Sequence, residues 1–270
     1  MTELLALLTL EPAADGVFRP TYYPPDGPGF VFGGQLLAQA MSAASATVGP
    51  DRAPHSLHAH FLAAGRPGRE LTYHVEPLRD GGSFSSRRVT AAQEHGAVFV
   101  GTVSFNRARP ADGLADYRVP APPAPQPDDE HHRWTPVMGG LGLFSAFELR
   151  EMPPPEPAAD GTFSYTRRLW WRTAGELPDD PALHAAVFAF ASDFGVTIAS
   201  SVTAGLYGRA EVQTSLDHGL WLHRPLRADR WVLMDLVPVS NAASRGFVRG
   251  SLFDADGTLV ASLAQETLVR

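Results

Sequence analysis

GQLLAQAMSAASATV, residues Gly34–Val48, contains no ionisable side chain and is built almost wholly from small and apolar residues. At helical period it offers no face made for water, so it reads as a helix that something else must cover. Strand-like runs follow at Ser56–Leu62, Leu71–Glu76, Ser83–Ala91 and Ala97–Asn106. Gly65-Arg66-Pro67 and Asp80-Gly81-Gly82 supply turn signals between them. One helix buried by a curved antiparallel sheet is an α+β arrangement.

The pattern occurs twice. Asp180-Pro181 is a helix start, Asp as N-cap and Pro at the first helical position, and it leads into Ala182–Ser201. Strands are expected at Ala210–His223, Trp231–Val239, Arg245–Asp254 and Leu259–Arg270. Ser56-Leu57 falls on Ser215-Leu216, Pro77 on Pro238 and Gly96 on Gly257, a shift of 159 to 161 residues that suggests duplication. Two such units can merge their sheets, which removes two exposed edges.

Between the units lie 11 of the 24 prolines, from Pro110 to Pro157. Such a segment cannot continue a helix or donate to a central ladder. The expected division is an N-terminal unit over 1–109, a proline-rich linker over 110–160 wrapped on the surface, and a C-terminal unit over 161–270. Within the linker, the more apolar Trp134–Glu151 is expected to dock.

Composition narrows the chemistry. With no cysteine, disulfides, thiolate nucleophiles and cysteine-ligated metals are excluded. The net charge is −7, and no basic run could track a phosphate backbone, so nucleic acid is not an expected partner. No stretch approaches about 18 consecutive apolar residues. Glu3 stands where a secretory signal would carry basic residues. The expectation is a soluble cytoplasmic protein without stable membrane insertion. There is no Gly-x-Ser-x-Gly elbow, Walker loop, Gly-x-Gly-x-x-Gly or His-Glu-x-x-His. His55, His58 and His60 cluster without a carboxylate companion, so no metal site and no cofactor are expected.

Asp193 is the only acidic or basic side chain from Ala185 to Gly208, in AAVFAFASDFGVTIASSVTAGLYG. On a helix its neighbours at three and four residues are Ala189, Phe190, Val196 and Thr197, a mostly apolar face. An ionised carboxylate buried there without a partner costs several kcal/mol. Either backbone amides or the Thr197 hydroxyl satisfy it structurally, or it is an acid/base group tuned by desolvation. Gln265 shares the apolar face of Leu259, Ala261 and Leu263 at strand period, so its amide needs buried partners unless it merely ends the strand. Ser215 offers a hydroxyl in the first strand of the second unit, with Thr214 beside it. Asp217 and His218, as strand neighbours, point to opposite faces and do not act together by adjacency.

Taken in order, Phe32-Gly33-Gly34-Gln35, His55-Ser56-Leu57-His58, Arg79-Asp80-Gly81-Gly82-Ser83-Phe84, Ala191-Ser192-Asp193, Ser215-Leu216-Asp217-His218 and Arg245-Gly246-Phe247-Val248-Arg249-Gly250 resemble the bacterial acyl-CoA thioesterase II family. The likeness runs over nearly the whole chain except the linker. It implies a double-hotdog fold and hydrolysis of fatty acyl-CoA to free fatty acid and CoA, by a homodimer or higher homo-oligomer. The family's constellation of Asp, Thr or Ser, and Gln, which holds the attacking water, falls on Asp193, Ser215 and Gln265. Where some relatives carry Thr this chain has Ser215, and Thr214 leaves a one-residue ambiguity.

A thioester is electrophilic and thiolate leaves readily, so a positioned water with a carboxylate base suffices. Asp193 attacking directly through an anhydride is the alternative. Oxyanion donors are expected from the Gly34 and Gln35 backbone N–H groups, whose competing explanation is close helix–sheet packing. Arg87, Arg88, Arg245 and Arg249 are candidates for the CoA phosphates, or else solvated strand residues. The first unit has no acid in its helix and places Ser104 where the second has Gln265, which implies one active site per chain. The competing readings are a hotdog hydratase and a noncatalytic acyl-CoA-binding protein. Hydratase-type sites resemble an Asp followed five residues on by His, and here that position is Ile198.

Overall fold

Wrapping an apolar helix requires a sheet long enough to curve around it, and the computed structural model supplies one built from both halves of the chain. Residues 1–24, 29–107, 117–124, 126–127, 142–152 and 165–270 are described. Trp134 and the prolines from Pro153 to Pro157 lie outside them.

The first half runs α1 (Thr2–Leu8), β1 (Leu10–Ala14), β2 (Val17–Pro20), α2 (Gly33–Ser45), β3 (Arg52–Phe61), β4 (Thr72–Asp80), β5 (Phe84–Gln93) and β6 (Gly96–Arg107). After a 3-10 turn at Gly142–Ala146 come β7 (Phe147–Glu151), β8 (Arg167–Thr173), α3 (Pro181–Ala191), α4 (Val196–Thr203), β9 (Gln213–Ser215), β10 (Asp217–Leu222), β11 (Val232–Ala242), β12 (Arg245–Asp254) and β13 (Leu259–Val269). All the strands belong to one 13-stranded sheet, ordered β1-β2-β4-β5-β6-β3-β10-β13-β12-β11-β8-β7, with β9 beside β13. The halves join where β3 and β10 pair antiparallel, His218 opposite Ala59 and Leu220 opposite Leu57. Each of these strands would otherwise be an open edge.

The two halves repeat down to their irregularities. The β4–β5 ladder slips between Pro77 and Arg79, and the β11–β12 ladder between Pro238 and Ser240. The β5–β6 ladder slips at Ala91/Ala92, and β12–β13 at Leu252/Phe253. The spacing that separates Pro77 from Pro238 also separates Ala91 from Leu252. Bulges bend a sheet at fixed points, so their repetition gives both halves the same curvature.

Helices α2 and α3 pack against each other and share one hydrophobic core with both halves of the sheet. The contact is close at Gly34, where a Cβ would lie 2.3 Å from the Phe190 carbonyl oxygen. The packing reason for this glycine is therefore helix against helix, not helix against sheet. Phe32, Phe144, Phe147, Phe190 and Phe194 interlock around that crossing with ring centroids 5.0–6.4 Å apart.

Four expectations are modified. The helix expected over Ala182–Ser201 breaks after Ala191 and restarts at Val196, although Asp180 does cap it, accepting from the Ala182 N–H at 2.9 Å. The strand expected over Ala210–His223 begins only at Gln213 and is interrupted at Leu216. Part of the expected linker, Phe147–Glu151, is a strand at the sheet's end, while Ala121 and Ala124 pack against the cluster of Trp170, Trp231, Leu233 and Phe253. Finally, Pro181–Thr203 is long and apolar enough to cross a membrane, with a mean hydropathy of 1.5 in its best window. A count of consecutive apolar residues stops at Ser192 and Asp193, whereas an average passes over them. In the structure, 78% of that window is buried within the protein.

Candidate active site

Asp193 sits in the break between α3 and α4. Ser192 caps α3, and its Oγ lies 2.9 Å from both the Ala189 carbonyl oxygen and His218 Nε2. Gly195 then takes φ +67°, a left-handed conformation that suits glycine, and starts α4. Beneath this turn lies the buried Arg167 guanidinium, paired with both carboxylate oxygens of Glu151 at 2.8 and 2.9 Å and 3.3 Å from the Phe194 carbonyl oxygen. The turn removes Asp193 from helical periodicity and sends its carboxylate toward the start of α2.

There the Gly34 N–H donates to Asp193 Oδ2 at 3.1 Å. A helix N-terminus favours negative charge and has N–H groups without helical partners. The glycines make room as well, since a Cβ on Gly33 would lie 2.7 Å from Oδ2. On the other side Ser215 Oγ approaches Asp193 Oδ1 at 3.4 Å and accepts from Gln265 Nε2 at 2.8 Å. Gln265, from β13, is fully buried. Its partner across β12 is Val248, so both point to the inner face. Thr214 is exposed, and the neighbouring Ser215 is the one that reaches the carboxylate.

Asp193 is only 7% exposed. Burial pushes its pKa up to about 7, outweighing the Gln265 amide, the Gly34 N–H and the Ser215 hydroxyl, which pull it down. A carboxylate poised near neutrality, beside a hydroxyl and an amide, can take a proton from water.

His218 belongs to the same network, a place that its strand neighbourhood with Asp217 does not suggest. Its Nδ1 lies 2.5 Å from Gln265 Oε1 and its Nε2 2.9 Å from Ser192 Oγ. Burial depresses its pKa to about 4, so the ring is neutral at physiological pH. Asp217 turns elsewhere, accepting from the Glu266 N–H at 2.6 Å. Asp217 and His218 do point to opposite faces of β10, and His218 is the one that faces inward. Burial along β10 alternates, with His218, Leu220 and Leu222 buried, and that period was the available signal.

Two further groups of expected residues are placed differently. The Gly34 N–H is engaged by Asp193 and the Gln35 N–H by the Phe32 carbonyl oxygen at 3.0 Å, so neither is a free oxyanion donor. Arg87 is buried in the first half and committed to Thr47 and Asp80 at 2.9 Å, which removes it from any solvent-borne phosphate. Arg88 alternates with it and is exposed. Arg245 and Arg249 alternate with the buried Val248, so they lie on the sheet face opposite Gln265, and Arg245 pairs with Glu266 at 2.9 Å. A recess does open beside the start of α2, lined by Phe32, Gln35, Leu71, Arg66 and Arg69 among others. Among the described residues no group of His, Asp and Glu stands together as metal ligands; His58 instead packs edge-on against Trp221.

Known proteins share this arrangement of chain. The family model for the acyl-CoA thioesterase N-terminal domain matches residues 22–106, and that for acyl-CoA thioesterase matches residues 147–268. Acyl-CoA thioesterase 2 of Haemophilus influenzae is 32% identical over 100% of this chain and 98% of its own. Mouse acyl-coenzyme A thioesterase 8 is 31% identical over 98% of this chain and 88% of its own. The crystal structure of acyl-CoA thioesterase II TesB2 from Mycobacterium marinum superimposes with a TM-score of 0.83 at 32% identity, covering 99% of this chain and 98% of that one. At the level of fold alone, a hot dog protein from Alicyclobacillus acidocaldarius gives a TM-score of 0.77 at 18% identity, covering 99% and 97%. The chain is thus a hotdog-fold thioester hydrolase. It belongs to the acyl-CoA thioesterase II family.

Proposed function

We propose that this chain hydrolyses fatty acyl-CoA with a water held by Asp193, Ser215 and Gln265. The observation that carries the reading is the convergence of three chain segments, with Ser215 Oγ 2.8 Å from Gln265 Nε2 and 3.4 Å from Asp193 Oδ1. Asp193 takes a proton as the water oxygen bonds to the thioester carbon. The tetrahedral intermediate then expels CoA as thiolate, and the proton held by Asp193 leaves with the products. Gln265 and Ser215 orient the water, so most of the catalysis is positioning. We place the CoA part of the substrate in the recess beside the α2 start, with Arg66 and Arg69, which are among its lining residues, as cations for the phosphates.

We also read the molecule as a double hotdog, with units over 1–109 and 161–270 joined by 110–160, of which Phe147–Glu151 adds a strand to the second unit. The repeated bulges support this division. The second unit carries the acid and the amide, and the first contributes the helix end that grips Asp193.

The test is free-thiol release from acyl-CoAs of graded chain length by wild type, Asp193→Asn and Gln265→Ala. Release that survives both substitutions rejects the site, and binding without turnover by wild type favours a noncatalytic acyl-CoA carrier.

A further inference from the structure

We propose that His218 is a positioning residue that fixes which end of the Gln265 amide faces Ser215, and thereby where the Ser215 proton points. The inference rests on the site assignment above. A Gln amide has one end that only accepts and one that only donates, whereas a serine hydroxyl does either. Ser215 alone therefore tolerates both orientations of Gln265. In one, Nε2–H donates to Ser215 Oγ and the serine proton is left for Asp193. In the other, Ser215 spends its proton on Oε1, and the carboxylate loses its hydroxyl donor.

His218 removes the ambiguity. With its proton on Nδ1 the ring donates to Gln265 Oε1, 2.5 Å away, and this orientation leaves Nε2 of the amide to Ser215. The lone pair on the imidazole Nε2 then needs a donor, and Ser192 Oγ, 2.9 Å away, fills that place by turning its single proton to the ring in preference to the Ala189 carbonyl oxygen, which lies at the same distance. Ser192, His218 and Gln265 are each at most 1% exposed, so water does not substitute for any of these partners. A neutral ring is what the scheme requires, and burial keeps His218 neutral.

The hydrogen bonds then all run one way: Ser192 Oγ–H to His218 Nε2, His218 Nδ1–H to Gln265 Oε1, Gln265 Nε2–H to Ser215 Oγ, and Ser215 Oγ–H to Asp193 Oδ1. Ser192 directly precedes Asp193, so the relay starts and ends in one turn and closes through a peptide bond. The turn that carries the base thus also fixes the direction of the groups that serve it.

Steady-state kinetics with acyl-CoA tests this in His218→Leu, His218→Asn, His218→Gln, Gln265→Ala and the His218→Leu/Gln265→Ala double variant. Each is checked by thermal unfolding. An Asn side chain presents its N–H near the place of Nδ1; a Gln presents it toward Nε2. Loss of one buried hydrogen bond predicts that His218→Leu lowers kcat roughly 10- to 100-fold with KM nearly unchanged. His218→Asn recovers most of the activity, His218→Gln does not, and adding His218→Leu to Gln265→Ala costs nothing further. Wild-type kcat in His218→Leu, losses that multiply in the double variant, or equal activity of the Asn and Gln variants overturns the proposal. If His218→Leu fails to fold, the Asn/Gln comparison alone decides. Full activity of Gln265→Ala overturns both this inference and the site assignment, whereas its inactivity beside a fully active His218→Leu removes only the role of His218.

Discussion

The Gly34 N–H and Asp193 Oδ2, 159 positions apart in sequence, meet at 3.1 Å, so the helix that opens the first half holds the carboxylate that the second half supplies. The acid is buried where the halves cross, and burial is what raises its pKa to about 7.

The pH profile follows. A general base works deprotonated, so kcat/KM should fall about tenfold per pH unit below about 7 and level off above it. Removing Gln265 or Ser215 takes away a hydrogen bond that lowers the pKa, and each change should move this limb to higher pH, Gln265→Ala further than Ser215→Ala. The check is a set of kcat/KM–pH profiles for the three proteins. His218, held near 4, adds no limb of its own above about pH 5.

The same shift makes Asp193 a liability for stability. Between about pH 4 and 7 the folded state binds a proton that the unfolded state has released, so stability falls as pH rises through that window. The loss is on the order of 4 kcal/mol at full ionisation. Asp193→Asn should therefore gain on wild type in denaturant titrations as pH rises from 4 to 8, while losing activity. A stability difference that does not change with pH would contradict the burial argument.

Gly34→Ala tests the helix crossing, because its Cβ would lie 2.3 Å from the Phe190 carbonyl oxygen. Backbone must move to admit it, at a cost of about 1–3 kcal/mol. Since Gly34 also holds Asp193, activity should fall more than the stability loss explains, as read by kcat at a temperature where the variant is fully folded.

Gly195→Ala should be worse than an ordinary turn substitution. Its φ of +67° disfavours a side chain, and a Cβ would fall 1.6 Å from Arg167 Nη1. The Arg167–Glu151 pair would be forced out of place and the Asp193 turn with it. Thermal unfolding and thiol release should both show the damage, with about 2–4 kcal/mol lost.

Much of this architecture was legible because burial leaves periodic marks. The uncharged Gly34–Val48, the isolated Asp193 and the inward Gln265 each break the statistics of an exposed chain. The strands β3 to β6 and β11 to β13 carry alternation and turn signals, so they were found to within a few residues. What escaped depends on contacts distant in sequence. β8 reads as Arg-Arg-Leu-Trp-Trp-Arg-Thr, and Arg167 is buried there against Glu151 and the Phe194 carbonyl oxygen, both distant in sequence. The break in the second helix needs Gly195 to turn left-handed over Arg167, which propensity does not reveal. His218 looked like half of an unusable Asp-His pair until its face of β10 was known.

The central claim is that Asp193 activates water and does not itself attack the thioester. A single turnover of acyl-CoA in oxygen-18 water, with enzyme in excess, examines it directly. The account predicts one oxygen-18 atom in the released fatty acid and none in the peptide that contains Asp193. Oxygen-18 in that peptide, with unlabelled fatty acid from the first turnover, would mean an anhydride at Asp193 and would contradict it.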